Sequence, residues 1–494
     1  MRHSLDVLRA RAPAVVPLLA GALACAAFAW AFLQRSAALE VPAYDTAFFE
    51  QVVWNLGHGR GFTSGFFPAN FLGLHFSPLL ALPAALELVW PDARLLALLN
   101  AAALGLSSPA AYLLLRAILD ERPGAPVAAA VGAAPMPLWL ALQQAAGSGF
   151  HTEALALPLV LTAGWAGLRG RSVLCWACAL VALSAREDQA YAVAVIGLLL
   201  VFHGPSRAQG LALVGASALW AAAVELVLMP ALRGPVRSDL ASYYSWLAHA
   251  DLARIAVAVA NPRGWLGFAA LVGAMAGLPL LRPGWLALAL PPLLGDLLSA
   301  HLPQPILHLQ YGLPLVVPVV VAGGLGTRSL LGRARVRSAA LSSLALPALI
   351  MGLVFSHLIG RDPPAGEPPA QRLLACATAL PGEAPLAADD SAAAAFAARP
   401  LERPLRGVRP GDWVIVDGAG FVPAYVDRAA RSAELAALPH QGRRLYCDDG
   451  RFQLWGPVSS DRSAPTLPSP TKGGGLASSD RSAPTLPSPT KGGG

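Results

Sequence analysis

Asp45 stands in the run Tyr44-Asp45-Thr46-Ala47-Phe48-Phe49-Glu50-Gln51, a short polar segment directly after the first long apolar stretch. A carboxylate at such a boundary can reach both water and a lipid-borne substrate. Other chemistry-bearing residues recur at comparable boundaries. Glu50, Gln51 and Asn55 follow at once, then His75 and Arg94, His151 and Glu153, Arg186-Glu187-Asp188, and His308 with Gln310 and Tyr311. Arginine and histidine can neutralise phosphate oxygens, while amides and carboxylates can hold hydroxyl groups by hydrogen bonds.

The elements that must position these groups are membrane helices. The chain has 494 residues, 55% of them hydrophobic and 13% charged, with mean hydropathy +0.53. Soluble domains carry about 25% charged residues, so a polytopic, all-α membrane bundle is expected. The net charge of +7 does not indicate a nucleic-acid partner, because the arginines cluster at the ends of apolar spans, where they set orientation. The partner expected from composition is the lipid bilayer.

Placing the arginine-bearing short loops inside gives about eleven spans with a cytoplasmic N-terminus. The first, from about Ala12 to Phe32, lacks a clear small-x-small cleavage site and reads as an uncleaved helix. Leu79 to Trp90 is too short to cross and reads as a helix lying on the outer surface. Helix 2 covers about Ala93 to Leu119, helix 3 Ala125 to Ala145, and helix 7 Leu211 to Leu232. Helix 10 ends at Arg328, Arg333, Arg335 and Arg337, and helix 11 covers about Ala339 to Leu358. On this path Glu225, Asp296, Gln143, Gln144 and all the residues above fall on the outer side, and the cytoplasmic halves hold almost no ionisable groups. Tyr243, Tyr244 and Trp246 read as an interfacial aromatic belt.

The expected organisation is therefore residues 1–36 as tail and first span, 37–92 as an outer loop with a surface helix, and 93–358 as the bundle. Residues 359–458 form a small extracytoplasmic α/β unit, and 459–494 a disordered appendage. In the α/β unit Gln371 to Leu380 and Ser391 to Ala398 read as helix. Trp413 to Asp417 and Arg444 to Cys447 read as strand, and Asp448-Asp449-Gly450 as a hairpin turn before Arg451 to Trp455. Ser459 to Gly475 recurs verbatim as Ser478 to Gly494, and its Pro/Ser/Gly-rich composition cannot bury a core. Cys175 and Cys178 read as small core residues within a span, whereas Cys376 and Cys447 could pair outside the cytoplasm.

The ordered set Tyr44-Asp45, Glu50-Gln51-Val52-Val53-Trp54-Asn55, Gly57-His58-Gly59, Asn70, His75-Phe76-Ser77-Pro78, Phe150-His151-Thr152-Glu153 and Arg186-Glu187-Asp188 resembles the bacterial membrane-protein family of domain of unknown function 2079 (DUF2079). The family's usual Lys-Glu-Asp is Arg186-Glu187-Asp188 here, which keeps the charge but offers a forked contact. More distantly, the pattern resembles the C-type (GT-C) glycosyltransferases, which use polyprenyl-phosphate sugars.

That resemblance implies a multi-pass protein of the bacterial cytoplasmic (inner) membrane. A polyprenyl-phosphate-linked sugar would be its donor, and an envelope glycan or protein its acceptor. Asp45 would be the catalytic base, and Arg186, Arg94 or His75 would neutralise the departing lipid phosphate. His151, Glu153, Gln51 and Asn55 would hold sugar hydroxyls. Glu50, Glu187, Asp188, His308, Gln310 and Tyr311 would complete the substrate site. No cofactor is expected. A divalent ion could be held by Asp45, Glu50 and Glu153, but no ligand spacing calls for one. Two other classes fit a polar rim: a lipid or solute transporter, and a non-catalytic membrane scaffold.

Overall fold

The computed structural model describes residues 2–40, 43–331, 367–420 and 428–458. The expected span 339–358, the arginines Arg333, Arg335 and Arg337, and the duplicated tail lie outside the described residues.

The chain opens with α1 (Arg2–Ala37), then α2 (Ala43–Gly57), the short α3 (Ala81–Glu87) and the long α4 (Arg94–Leu119). Gly21 of α1 lies directly against Gly105 of α4: a Cβ on Gly21 would fall 2.5 Å from the Gly105 carbonyl oxygen. Small residues are what let two apolar helices approach backbone to backbone in lipid, where no hydrophobic force drives them together. The Ser108 hydroxyl adds a polar tie, lying 3.1 Å from both the Pro17 and Ala133 carbonyl oxygens.

The bundle continues with α5 (Ala125–Ala133), α6 (Leu140–Gly147), α7 (Thr152–Leu168), α8 (Ser172–Leu183), α9 (Gln189–His203) and α10 (Arg207–Ala223). A π turn over Val224–Leu228 joins α10 to α11 (Met229–Arg233). Beyond it come α12 (Asp239–Tyr244), α13 (Leu252–Val259), α14 (Pro262–Ala274), α15 (Pro283–Leu286), α16 (Leu290–Leu297) and α17 (Val316–Leu331).

Six helical stretches among the described residues are long and apolar enough to cross a membrane: Pro13–Ala37, Arg94–Leu119, Ala125–Gly147, Arg207–Arg233, Leu252–Ala274 and Leu309–Leu331. Several expected spans are interrupted or short. The stretch read as one helix 3 breaks into α5, a 3-10 turn at Met136–Leu138, and α6. Pro135 and Pro137 explain the break, since proline withholds the N–H that an α-helix needs. With 12 residues, α8 reaches only about 18 Å at 1.5 Å per residue. The stretch Leu309–Leu331 is the most enclosed and Arg207–Arg233 the least. The outer helices present Leu211, Leu219, Leu226, Leu252, Val257 and Leu266 on exposed faces, the arrangement that lipid as solvent demands.

Segment 78–87 is a 3-10 turn followed by α3, too short to span. It exposes Leu82, Leu86, Leu88, Val89 and Trp90 and buries Leu80, Ala84 and Glu87, as an interfacial helix does.

The C-terminal residues form a five-stranded sheet in the order β2-β1-β3-β5-β4. Its strands are β1 (Leu386–Ala388), β2 (Glu402–Pro404), β3 (Trp413–Asp417), β4 (Arg443–Asp448) and β5 (Phe452–Pro457). β1 runs parallel to both β2 and β3, whereas β5 is antiparallel to β3 and β4. The two three-residue strands β1 and β2 were not expected from the sequence. The alanine-rich helix is shorter than expected, covering only Asp390–Ala393. Cys376 and Cys447 form a disulfide.

One apolar core joins the sheet to the first loop. Phe48, Phe49, Phe66, Phe71 and Phe150 pack in the same cluster as Leu386, Ile415, Phe452 and Leu454. The rings interlock, with Phe48 against Phe66 at 5.7 Å, Phe48 against Phe71 at 5.1 Å and Phe49 against Phe150 at 5.3 Å. This aromatic seat fixes α2, and with it Asp45.

Candidate functional site

Asp45 lies in the first turn of α2, its side chain 39% exposed. His151 precedes α7 in extended conformation and is buried. Its Nε2 sits 3.9 Å from the Asp45 carboxylate. Two residues on, the buried Glu153 forms an ion pair with Arg186 from the loop between α8 and α9. Arg186 also approaches Glu187 at 3.3 Å and Asp188 at 3.7 Å. Glu187 in turn accepts from His75 Nδ1 at 3.1 Å and from the Phe76 backbone N–H at 2.8 Å. The loop carrying His75 is tied to the same place, since the Leu79 N–H donates to the Ser184 carbonyl at 2.9 Å.

A continuous chain of ionisable groups therefore runs from Asp45 through His151, Glu153, Arg186 and Glu187 to His75, contributed by the first turn of α2 and three loop segments. Tyr311 stands within electrostatic reach of Arg186, Asp45 and Glu153. Its ring packs edge-on to His301 at 5.8 Å. Asp296 of α16 is buried and feels Asp188 and Arg186.

Electrostatics divides these groups into fixed and adjustable charges. Burial alone would raise the Glu187 carboxyl, but His75 and Arg186 beside it bring it down to about 2, a permanently charged acid. Burial pushes the His151 imidazole below its usual range, opposed by Glu153 and Asp45 and reinforced by Arg186. Arg186 is shared among three carboxylates, so its charge is already largely offset within the protein.

Residues 35–363 match the family described as predicted membrane protein (DUF2079). The chain belongs to that family. Among solved structures, the DUF2079 chain is similar to ArnT from Cupriavidus metallidurans, crystallised bound to undecaprenyl phosphate. The two share a TM-score of 0.54 and 14% sequence identity, over 90% of this chain and 98% of that one. At that identity the likeness is one of fold. No curated protein matches the sequence.

Other sequence-derived candidates of this DUF2079 member sit apart from the charged chain. Glu50 is five residues from Asp45 on the same helix, about 140° around its axis. Its carboxyl is fully buried and interacts with that of Glu87 on α3. Gln51 is spent on loop and sheet: its Oε1 accepts from the Ser64 hydroxyl at 2.8 Å and the Gly65 N–H at 2.7 Å. Asn55 donates to the Thr63 carbonyl at 3.0 Å and the Pro400 carbonyl at 3.3 Å. The Gln51 amide also donates to the Arg399 carbonyl at 3.5 Å, so both amides tie α2 to the C-terminal unit.

Arg94 is half-exposed and pairs with Asp92, its Nε at 2.7 Å, beside the Trp90 ring. His308 is exposed and outside the network, while Gln310 is buried with its Oε1 unpartnered. Among the described residues, no three His, Cys, Asp or Glu side chains gather as a metal site.

Two features escaped sequence reasoning. Glu87 is a lone charge within an apolar surface helix, and its place on the buried face, three residues after Ala84, is the one sequence signal of its role. Arg406 of the C-terminal unit stacks over Tyr44, 5.7 Å from the ring centre, a contact across more than 360 residues that no local pattern announces.

Proposed function

We propose that this protein is a C-type membrane glycosyltransferase. It moves a sugar from a polyprenyl-phosphate donor to an envelope acceptor on the outer side of the cytoplasmic membrane. The observation that carries the reading is the exposed Asp45 carboxylate at one end of a chain of ionisable groups whose middle, His151 and Glu153, is buried, on a fold shared with a protein crystallised with undecaprenyl phosphate. The expected resemblance to C-type transferases points the same way.

In this reading Asp45 takes the proton of the acceptor hydroxyl as that oxygen attacks the sugar's anomeric carbon. Glu153 and Glu187, held by Arg186 and His75, give the chamber a fixed electrostatic frame. Arg186 meets the departing phosphate to the extent that it loosens from Glu153. The C-terminal sheet, clasped by Gln51 and Asn55, stands beside the Asp45 end of α2 and selects the acceptor. Its disulfide supports an oxidising, extracytoplasmic setting, and the arginine-bearing loops support the opposite side as cytoplasmic.

The test is lipid extraction from purified protein. Co-purifying polyprenyl phosphate, together with transfer of labelled sugar from a synthetic polyprenyl-phosphate donor, is the expected result. Solute uptake by proteoliposomes without any transfer would favour a transporter instead.

A further inference from the structure

His151 has two ring nitrogens in different situations. One interacts with the Ser148 backbone carbonyl. Nε2 has no hydrogen-bond partner, so Nδ1 is the nitrogen that donates to that carbonyl. A neutral ring donating from Nδ1 carries its lone pair on Nε2. That lone pair faces Asp45 Oδ2 across 3.9 Å. Two acceptors thus oppose each other across a gap wider than a hydrogen bond, which a rotation of the exposed Asp45 side chain closes when that carboxyl carries a proton. Their access differs sharply, with the Asp45 side chain 39% exposed and that of His151 only 3%. Substrate can touch Asp45; it cannot reach Nε2.

Building on the transferase reading, we infer that His151 is the proton store behind Asp45. The acceptor O–H bond breaks and its proton joins an Asp45 carboxylate oxygen. The electron pair left on the acceptor oxygen forms the new bond to the anomeric carbon. The bond from that carbon to the lipid phosphate oxygen breaks, its electrons leaving with the phosphate. The proton on Asp45 then passes to Nε2 of His151, which restores the carboxylate and leaves an imidazolium. It returns to water through Asp45 at the mouth.

The surroundings suit this store. The carboxylates of Asp45 and Glu153 favour the imidazolium, Arg186 opposes it, and burial keeps the resting ring neutral. The Phe49 ring stands edge-on 6.1 Å away and adds no competing donor. At rest Glu153 is engaged with Arg186 rather than with Asp45. His151 acts through Asp45 and is a positioning residue.

The experiment uses full-length protein in nanodiscs with 15N-labelled histidine. Ten histidines are present, and the His151→Gln variant identifies the resonance. The expected spectrum shows Nδ1 protonated and Nε2 bare in the neutral form, and Asp45→Asn lowers the titration midpoint of that ring. An Nε2-protonated neutral ring, or a midpoint indifferent to Asp45→Asn, would overturn the inference.

Activity gives a second readout. His151→Gln should lower kcat, leave the KM for the lipid donor within about twofold, and move the rising limb of the kcat–pH profile. Measurable transfer with an unchanged profile in His151→Gln would overturn the proton store while leaving the transferase reading intact. Asp45-dependent titration in a wild-type protein that transfers no sugar would support the shared proton and reject the transferase.

Discussion

Glu50 of α2 and Glu87 of α3 interact carboxyl to carboxyl, with no exposed surface on either residue. Burial raises both, Glu87 to about 7 and Glu50 well above the usual range. Two such acids share a proton rather than ionise together. His58 and Asp92 are the other charged neighbours acting on Glu87, the first lowering it and the second raising it. A raised carboxyl means the folded state binds the proton more tightly than the unfolded chain does. The contact therefore contributes fully below the ordinary glutamate range and is lost as pH rises through about 7. The hydrogen-exchange protection of residues 78–90, taken relative to the intrinsic exchange rate at each pH, should fall across that window. Glu87→Gln should abolish that loss of protection; an unchanged profile of protection against pH in that variant would remove the pair as its cause.

Asp45→Asn preserves shape and removes the carboxylate proposed as the base. Transfer should fall by about 10²- to 10⁴-fold, with normal membrane insertion and thermal stability. Full complementation by the inserted variant would take Asp45 out of the reaction.

Arg186→Ala leaves Glu153 and Glu187 without their guanidinium. Breaking a buried pair costs roughly 3 to 5 kcal/mol, so a large drop in thermal stability is expected in detergent. Arg186→Lys should recover part of the loss, because a point charge cannot reproduce the fork shared by three carboxylates.

The Glu187–His75 pair predicts the opposite pH behaviour from Glu50–Glu87. Glu187 is depressed to about 2, so its contribution is present above the ordinary glutamate range and lost as pH falls toward 2. Acid-induced unfolding monitored by tryptophan fluorescence should begin at higher pH in His75→Ala than in wild type.

The Cys376–Cys447 bond closes a segment with a sequence separation of 71. Reduction, or Cys376→Ser, should cost roughly 2 to 5 kcal/mol of stability. Equal melting of the C-terminal unit with and without reductant would deny the bond a structural role.

The groups that join the charged chain were legible because they are polar residues beside apolar spans, and that contrast is a one-dimensional signal. Asp45, His75, His151, Glu153 and Arg186-Glu187-Asp188 all stood out in this way. What the sequence could not convey is direction around a helix axis. Glu50, Gln51 and Asn55 look like neighbours of Asp45 in the chain, yet helical geometry turns them toward α3, the 63–65 turn and the sheet. Arg94 likewise found a partner two residues away, a local choice that composition does not register. The short strands β1 and β2 hid for another reason, since three residues show too little alternation to read. Prolines divide helices within an expected span without a clear sign in hydropathy, as between α5 and α6, which together still make one membrane-length stretch.

The aromatic seat of α2 has a consequence for how the molecule is assembled. Phe48, Phe49, Phe66, Phe71 and Phe150 come from the first third of the chain, whereas Phe452 and Leu454 of the same cluster are synthesised some four hundred residues after Asp45. The Asp45 end of the chain therefore waits, unanchored on one side, until the final strand arrives, and a chain cut short before that strand is expected to leave α2 loosely held.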